Sequence, residues 1–241
     1  MTRSVVLVHG AFHGRWCWER VVPRLSALGV AAVAPELPYT SWEDDVACVR
    51  AAIAAAGGPV LLVGHSLGGG LVCEAGTDPA VTALGFVSAL VVGPGETIRE
   101  RLAAAGVAEE LRDGSNPEIG AAMRVGEDGR IALDPEAAAA IFFSDCTPED
   151  AALAASRLRS ISPSSLGGRP GRAPWRDKPS HYLFCGEDQA LADEVQEGYA
   201  AGLTGRRDRL TASHSPFWSR PDALADVIAD WAAAPDLEVP E

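Results

Sequence analysis

Gly64-His65-Ser66-Leu67-Gly68 sets a serine directly after the apolar run Pro59–Val63 and directly before a stretch of helical character, Leu67–Ala75. A serine at such a strand-to-helix turn must take a strained backbone conformation that pushes its hydroxyl out above the sheet edge. The residues two before and two after it then come close together, and only small ones such as Gly64 and Gly68 fit there. The following helix aims amide N–H groups and its positive end at a developing oxyanion. This is the setting of a nucleophile. The strand before and the helix after distinguish it from a tight glycine turn with an idle serine.

Serine is a weak nucleophile until a base takes its proton, and the base needs a carboxylate to fix its tautomer. For a nucleophile on this kind of turn the chain order is serine, acid, histidine, each at the C-terminal end of a strand. Tyr182-Leu183-Phe184-Cys185-Gly186-Glu187-Asp188 is a strand running into a polar loop, so Asp188 or Glu187 is the acid. Ser213-His214-Ser215-Pro216 follows the last strand candidate, which makes His214 the base. His65 is too close to Ser66 to act on it, His181 lies at the wrong end of its strand, and Glu96 is a weaker candidate acid. The oxyanion needs two amides from different segments. Leu67 supplies one by following the nucleophile. The first-strand exit Val8-His9-Gly10-Ala11-Phe12-His13-Gly14 supplies the other at Ala11, Gly10 allowing the tight turn.

Other chemistry-bearing residues read more plainly. His9 and His13 are packing or hydrogen-bonding side chains rather than catalytic ones. Gly68-Gly69-Gly70 lacks the Lys-Ser/Thr ending of a phosphate-binding loop, and no His/Asp/Cys group has metal-ligand spacing. Arg157, Arg159, Arg169, Arg172 and Arg176 could meet an anionic substrate tail but fit a solvated loop better. Cys17, Cys48, Cys73, Cys146 and Cys185 are odd in number and form no Cys-x-x-Cys pair, which favours reduced core thiols in a cytoplasm.

The elements that must carry these residues follow a strand–helix rhythm in a chain of 241 residues, enough for one α/β domain. Strands are expected at Val5–Val8, Val30–Ala34, Pro59–Val63, Ala83–Val92, His181–Cys185 and Arg209–Thr211. Helices are expected over Trp18–Leu28, from Ser41 to Ala55, Leu67–Ala75, Ala190–Leu203 and Pro221–Ala234. The strand runs lack strict alternation, as in a mostly parallel sheet covered on both faces. Residues 94–178 lose the rhythm and read as a helical cap inserted into a core of 1–93 and 179–241, with helices at Thr97–Ala105, Pro135–Ser144 and Pro148–Leu158. A formal charge of −13 disfavours nucleic acid and anionic membranes as partners. No signal peptide and no membrane-spanning run is read in the sequence.

Val8-His9-Gly10-Ala11-Phe12-His13-Gly14-Arg15-Trp16-Cys17-Trp18 resembles the opening of the methylesterase and hydroxynitrile lyase branch of the α/β-hydrolases. Cys185-Gly186-Glu187-Asp188-Gln189-Ala190 with Gln196 is similar to that branch's acid loop, and the resemblance puts the acid on Asp188. It implies an α/β-hydrolase fold with a helical cap and a cofactor-free site. Cyanohydrin-cleaving members carry a threonine after the first-strand glycine position and a lysine after the triad histidine. Ala11 and Ser215 stand in those regions, favouring hydrolysis of a small alkyl or aryl ester, a lactone or a thioester through an acyl-enzyme on Ser66. Ser215-Pro216-Phe217-Trp218-Ser219-Arg220-Pro221 looks more like bacterial hydrolases of the same superfamily, and the alanine- and arginine-rich composition points the same way. Phe12, Phe142, Phe143, Trp175 and Phe217 are candidate pocket residues. Two alternatives remain: a lyase or cyclase using His214 as general base, and a ligand-binding protein that retains the triad.

Overall fold

Valine and leucine runs bounded by glycine and proline pair into one all-parallel sheet in a computed structural model that describes residues 3–234. The chain opens with β1 (Ser4–Val8), a 3-10 turn at Arg15–Trp18, α1 (Val22–Ala27) and β2 (Ala32–Val33). It continues through α2 (Trp42–Ala56), β3 (Val60–His65), α3 (Gly68–Ala75) and β4 (Val81–Val87). α4 (Ile98–Ala104), α5 (Pro117–Ala122) and a small antiparallel hairpin of β5 (Met123–Val125) and β6 (Ile131–Leu133) follow. Next come α6 (Pro135–Phe142), α7 (Pro148–Ser156) and α8 (Pro163–Gly167). The sheet resumes at β7 (Ser180–Cys185) and ends with α9 (Asp193–Ala200), β8 (Arg207–Leu210), α10 (Pro216–Ser219) and α11 (Pro221–Ala233).

The sheet order is β2-β1-β3-β4-β7-β8, with every neighbouring pair parallel. All residues of β3 and β7 are buried, as expected for strands covered on both faces. From β1 the chain first steps outward to β2 and then crosses back to β3. The order therefore reverses between β1 and β3, and a crevice opens beyond their carboxyl ends at that switch point. The segments His9–Gly14 and Ser66–Leu67 leave the sheet there.

Local chemistry sets the helix boundaries. Ser41 caps α2 by accepting from the Asp44 amide at 3.1 Å, with three acids in the first turn. Thr97 and Glu100 form a reciprocal capping box on α4. Asn116, Asp134, Thr147 and Ser162 cap α5 to α8, each followed at once by a proline whose fixed φ suits the first helical position.

Several expected boundaries move. The helix expected over Trp18–Leu28 is split, because Pro23 has no N–H for a helix interior and is accommodated only in the first turn of α1. The strand expected over Val30–Ala34 pairs only at Ala32–Val33, on the sheet edge. The strand expected to reach Val92 stops at Val87. There Ser88 turns to φ 38, and the Ala89 peptide exchanges hydrogen bonds with the Tyr182 hydroxyl, at 3.1 and 3.0 Å. The helix expected from Ala190 starts at Asp193, since the Ala190 and Leu191 amides turn back to Asp188. The hairpin and the short helices α5 and α8 were not expected.

Candidate active site

Ser66 sits at φ 52, the left-handed region that disfavours side chains, in the turn from β3 to α3. Its amide donates to the Val87 carbonyl and its own carbonyl accepts from the Gly69 and Leu90 amides, at 3.0 and 3.1 Å, so the strained turn is held from three sides. The crowding around it is real. A Cβ on Gly64 would lie 2.7 Å from the Gly68 backbone, and one on Gly68 would lie 2.8 Å from the His9 carbonyl. A Cβ on Gly10 would lie 2.8 Å from the Ser66 Cβ, so the β1 exit is packed directly against the serine.

β7 delivers Asp188 and the loop after β8 delivers His214, and the two side chains meet at 2.7 Å, Nδ1 to Oδ2, both almost wholly buried. The carboxylate fixes the tautomer. Nδ1 carries the proton donated to Asp188, leaving the Nε2 lone pair free to accept one. The other oxygen of Asp188 accepts from the Ala190 and Leu191 amides at 2.7 and 2.9 Å, and the Ser88 hydroxyl donates to Oδ2. The backbone of His214 is held as well, because His65 Nε2 donates to its carbonyl at 2.8 Å.

Ser66 and His214 both line a cavity of about 140 Å³, together with Ala11, Leu67, Phe12, His13 and Phe142. No hydrogen bond among the described residues joins the Ser66 and His214 side chains. Among the described residues, the Ala11 and Leu67 amides have no internal acceptor. The rest of the wall is mainly aliphatic: Leu90, Ile98, Ile119, Met123, Leu166 and Leu191. Most of these come from residues 94–178.

The surrounding histidines and thiols are chemically quiet. Burial lowers His9 and His13 to about 3 and His65 well below its ordinary value, so all three stay neutral near pH 7. Burial pushes Cys73 and Cys146 up to about 12 and raises Cys17 and Cys185 well above the ordinary thiol value, which keeps these thiols protonated. Among the described residues no group of three His, Cys, Asp or Glu could hold a metal ion.

Of the expected pocket residues, Phe12 and Phe142 face the cavity, while Phe143, Trp175 and Phe217 do not. Phe217 lies edge-on to His65 and His13, at 5.0 and 5.5 Å between centroids, forming a layer behind the site. Phe143 packs on Phe142 in that same layer. Trp175 donates to the Val92 carbonyl at 3.4 Å and is flanked by Arg101 and Arg176. Glu187 is exposed, and Glu96 accepts from the Gly93 amide within its own turn. Arg157 and Arg159 pair with Glu19 and Glu36, and none of the five arginines lines the cavity. Sequence reasoning missed Ser88 and the aliphatic wall. A serine at the end of a strand neighbouring the acid's strand was the available signal for Ser88, and the wall residues carried none.

A model of the alpha/beta hydrolase family matches residues 5–227. An alpha/beta hydrolase of Aspergillus novofumigatus is 29% identical over 98% of each chain. An esterase of Oryza sativa subsp. japonica is 33% identical over 94% of each. The solved structure of a pyrethroid hydrolase from Sphingobium faniae is 26% identical and superimposes with a TM-score of 0.78, over 98% of this chain and 99% of that one.

Proposed function

The chain belongs to the alpha/beta hydrolase family, and from that premise we propose that it is a serine esterase working through an acyl-enzyme on Ser66. The carrying observation is the buried Asp188–His214 pair opening onto the cavity that Ser66 lines. Ser66 Oγ attacks the ester carbonyl as His214 Nε2 takes its proton, and Asp188 stabilises the imidazolium that forms. The Ala11 and Leu67 amides receive the oxyanion. His214 returns its proton to the departing alcohol, then activates the water that releases the acid and restores Ser66. None of these steps requires a metal or organic cofactor.

Residues 94–178 act as a cap over the core, supplying Ile98, Ile119, Met123, Phe142 and Leu166 to the wall. That lining suits a small alkyl or aryl ester, a lactone or a thioester, and the relatives named as esterases support the ester class. The five free cysteines are consistent with a cytoplasmic setting. No helix among the described residues is long and apolar enough to cross a membrane.

An alkyl fluorophosphonate tests the reading. Stoichiometric labelling at Ser66, abolished in Ser66→Ala, is expected. An unlabelled protein that leaves model esters intact would end the hydrolase reading. Turnover surviving Ser66→Ala but lost in His214→Ala would assign the site to general-base chemistry instead.

A further inference from the structure

A trans peptide unit carries its C=O and N–H on opposite sides, and no peptide bond among the described residues is cis. Whatever holds the Gly10 carbonyl therefore also aims the Ala11 N–H. That carbonyl accepts from the His13 amide at 3.4 Å and is also held by two buried side chains. The Tyr39 hydroxyl donates to the Gly10 oxygen, and His9 Nδ1 lies 3.2 Å from it.

One backbone amide sets the direction of this network. The Leu37 N–H donates to His9 Nε2 at 3.2 Å, so Nε2 is an acceptor and the ring proton is on Nδ1. Nδ1–H then donates to the Tyr39 oxygen at 3.0 Å, leaving the hydroxyl proton for Gly10. The bonds run head to tail from Leu37 through His9 and Tyr39 to the Gly10–Ala11 peptide. Burial keeps His9 neutral and the Tyr39 phenol protonated, which preserves this order near pH 7. Tyr39 is itself pinned. Its backbone stands at φ 57, its N–H donates to Asp45 Oδ1 at 2.9 Å, and its carbonyl accepts from the Ser162 amide at 3.1 Å.

A buried Tyr–His pair that only satisfied its own polar atoms could end on any carbonyl. This one ends on the peptide beside the Ser66 cavity whose N–H has no acceptor among the described residues. We propose that His9 and Tyr39 are positioning residues that aim and polarise the Ala11 N–H toward the substrate oxyanion. A hydrogen bond accepted at the carbonyl end strengthens the donor at the other end of the same peptide. The inference rests on the serine-esterase reading above.

Tyr39→Phe deletes the last donor while keeping the ring. With p-nitrophenyl acetate, kcat should fall about tenfold, less than the roughly hundredfold or greater loss on removing an oxyanion donor, while KM stays within about twofold. The inhibition constant of an alkyl trifluoromethyl ketone, which binds as an oxyanion adduct on Ser66, should rise by the same factor. The affinity for acetate, the product acid, should not change. His9→Asn should give a smaller loss of the same kind, and the double variant should be no slower than Tyr39→Phe alone, because both act on one peptide. A folded Tyr39→Phe with the parent's kcat and ketone affinity overturns the proposal, as do losses that simply multiply in the double variant. If Tyr39→Phe does not fold, His9→Asn decides: matched losses of kcat and ketone affinity support the proposal, and unchanged values overturn it. Phosphonate labelling of the parent separates the two levels. An unlabelled parent removes the esterase reading, whereas a labelled parent with an indifferent Tyr39→Phe removes only this inference.

Discussion

Ser88 illustrates how a residue outside the expected site can govern it. Its hydroxyl donates to the oxygen of Asp188 that also faces His214, so it helps hold the carboxylate in the plane the imidazole needs. Ser88→Ala should leave the fold intact and lower kcat/KM about tenfold, the scale of one charge-assisted hydrogen bond. Steady-state kinetics with a fluorescent ester checks this. Gly68 makes the opposite point, since its lack of a side chain is its contribution. Gly68→Ala would press a methyl on the Val8 and His9 carbonyls at 2.9 and 2.8 Å, both in backbone that the site cannot move. A loss of at least about 2 kcal/mol is expected, read as a lower urea midpoint.

At the level of elements, caps and prolines carry much of the definition of the region between β4 and β7. The helices there are short, and their burial is modest next to that of the sheet. Replacing a cap should therefore be felt strongly: Thr147→Ala should cost about 1 kcal/mol. Hydrogen exchange should register it first in α7, ahead of the core strands. These caps also bear on what could be read from sequence. The strained turn at Ser66, the loops that bring Asp188 and His214 together, and the parallel strand rhythm were legible, because each rests on local patterns of apolar runs, glycines and polar loop residues. Pro135 and Pro148 marked expected helices that form, whereas the same signature at Asn116-Pro117 and Ser162-Pro163 starts helices that were not expected. The cavity wall was not legible at all. Ile98, Met123 and Leu166 are ordinary apolar residues, and only tertiary packing brings them above Ser66. The same limit applies to Phe143, Trp175 and Phe217, expected in the pocket but packed elsewhere in the core.

For the whole molecule, four buried histidines couple folding to acidity. His9 and His13 are lowered to about 3 and His181 to about 4, mainly by burial, and His65 is lowered well below 6.5 for the same reason. The unfolded chain takes up protons near pH 6.5 that the folded chain refuses. Stability is thus unaffected above that pH and falls as pH drops below it, until each folded-state value is reached. Each such group contributes a slope of about 1.4 kcal/mol per pH unit within its window. The urea midpoint should be flat from pH 8 to 7 and decline steeply between pH 6 and 5. Restoring part of the loss by His181→Phe would identify one contributor at a distance from Ser66.

The placement of β7 beside β4 has a consequence for how the chain is made. Leu84 pairs with Ser180, 96 residues further on, whereas Leu62 pairs with Leu84 across only 22. Closing the longer loop costs about 1.3 kcal/mol more in chain entropy, and on the ribosome it also costs time. For as long as the intervening residues are being synthesised, a nascent sheet of β1 to β4 presents a bare apolar edge at β4. The residues between β4 and β7 thus also set the interval during which the newborn protein is most open to a chaperone or to a wrong strand.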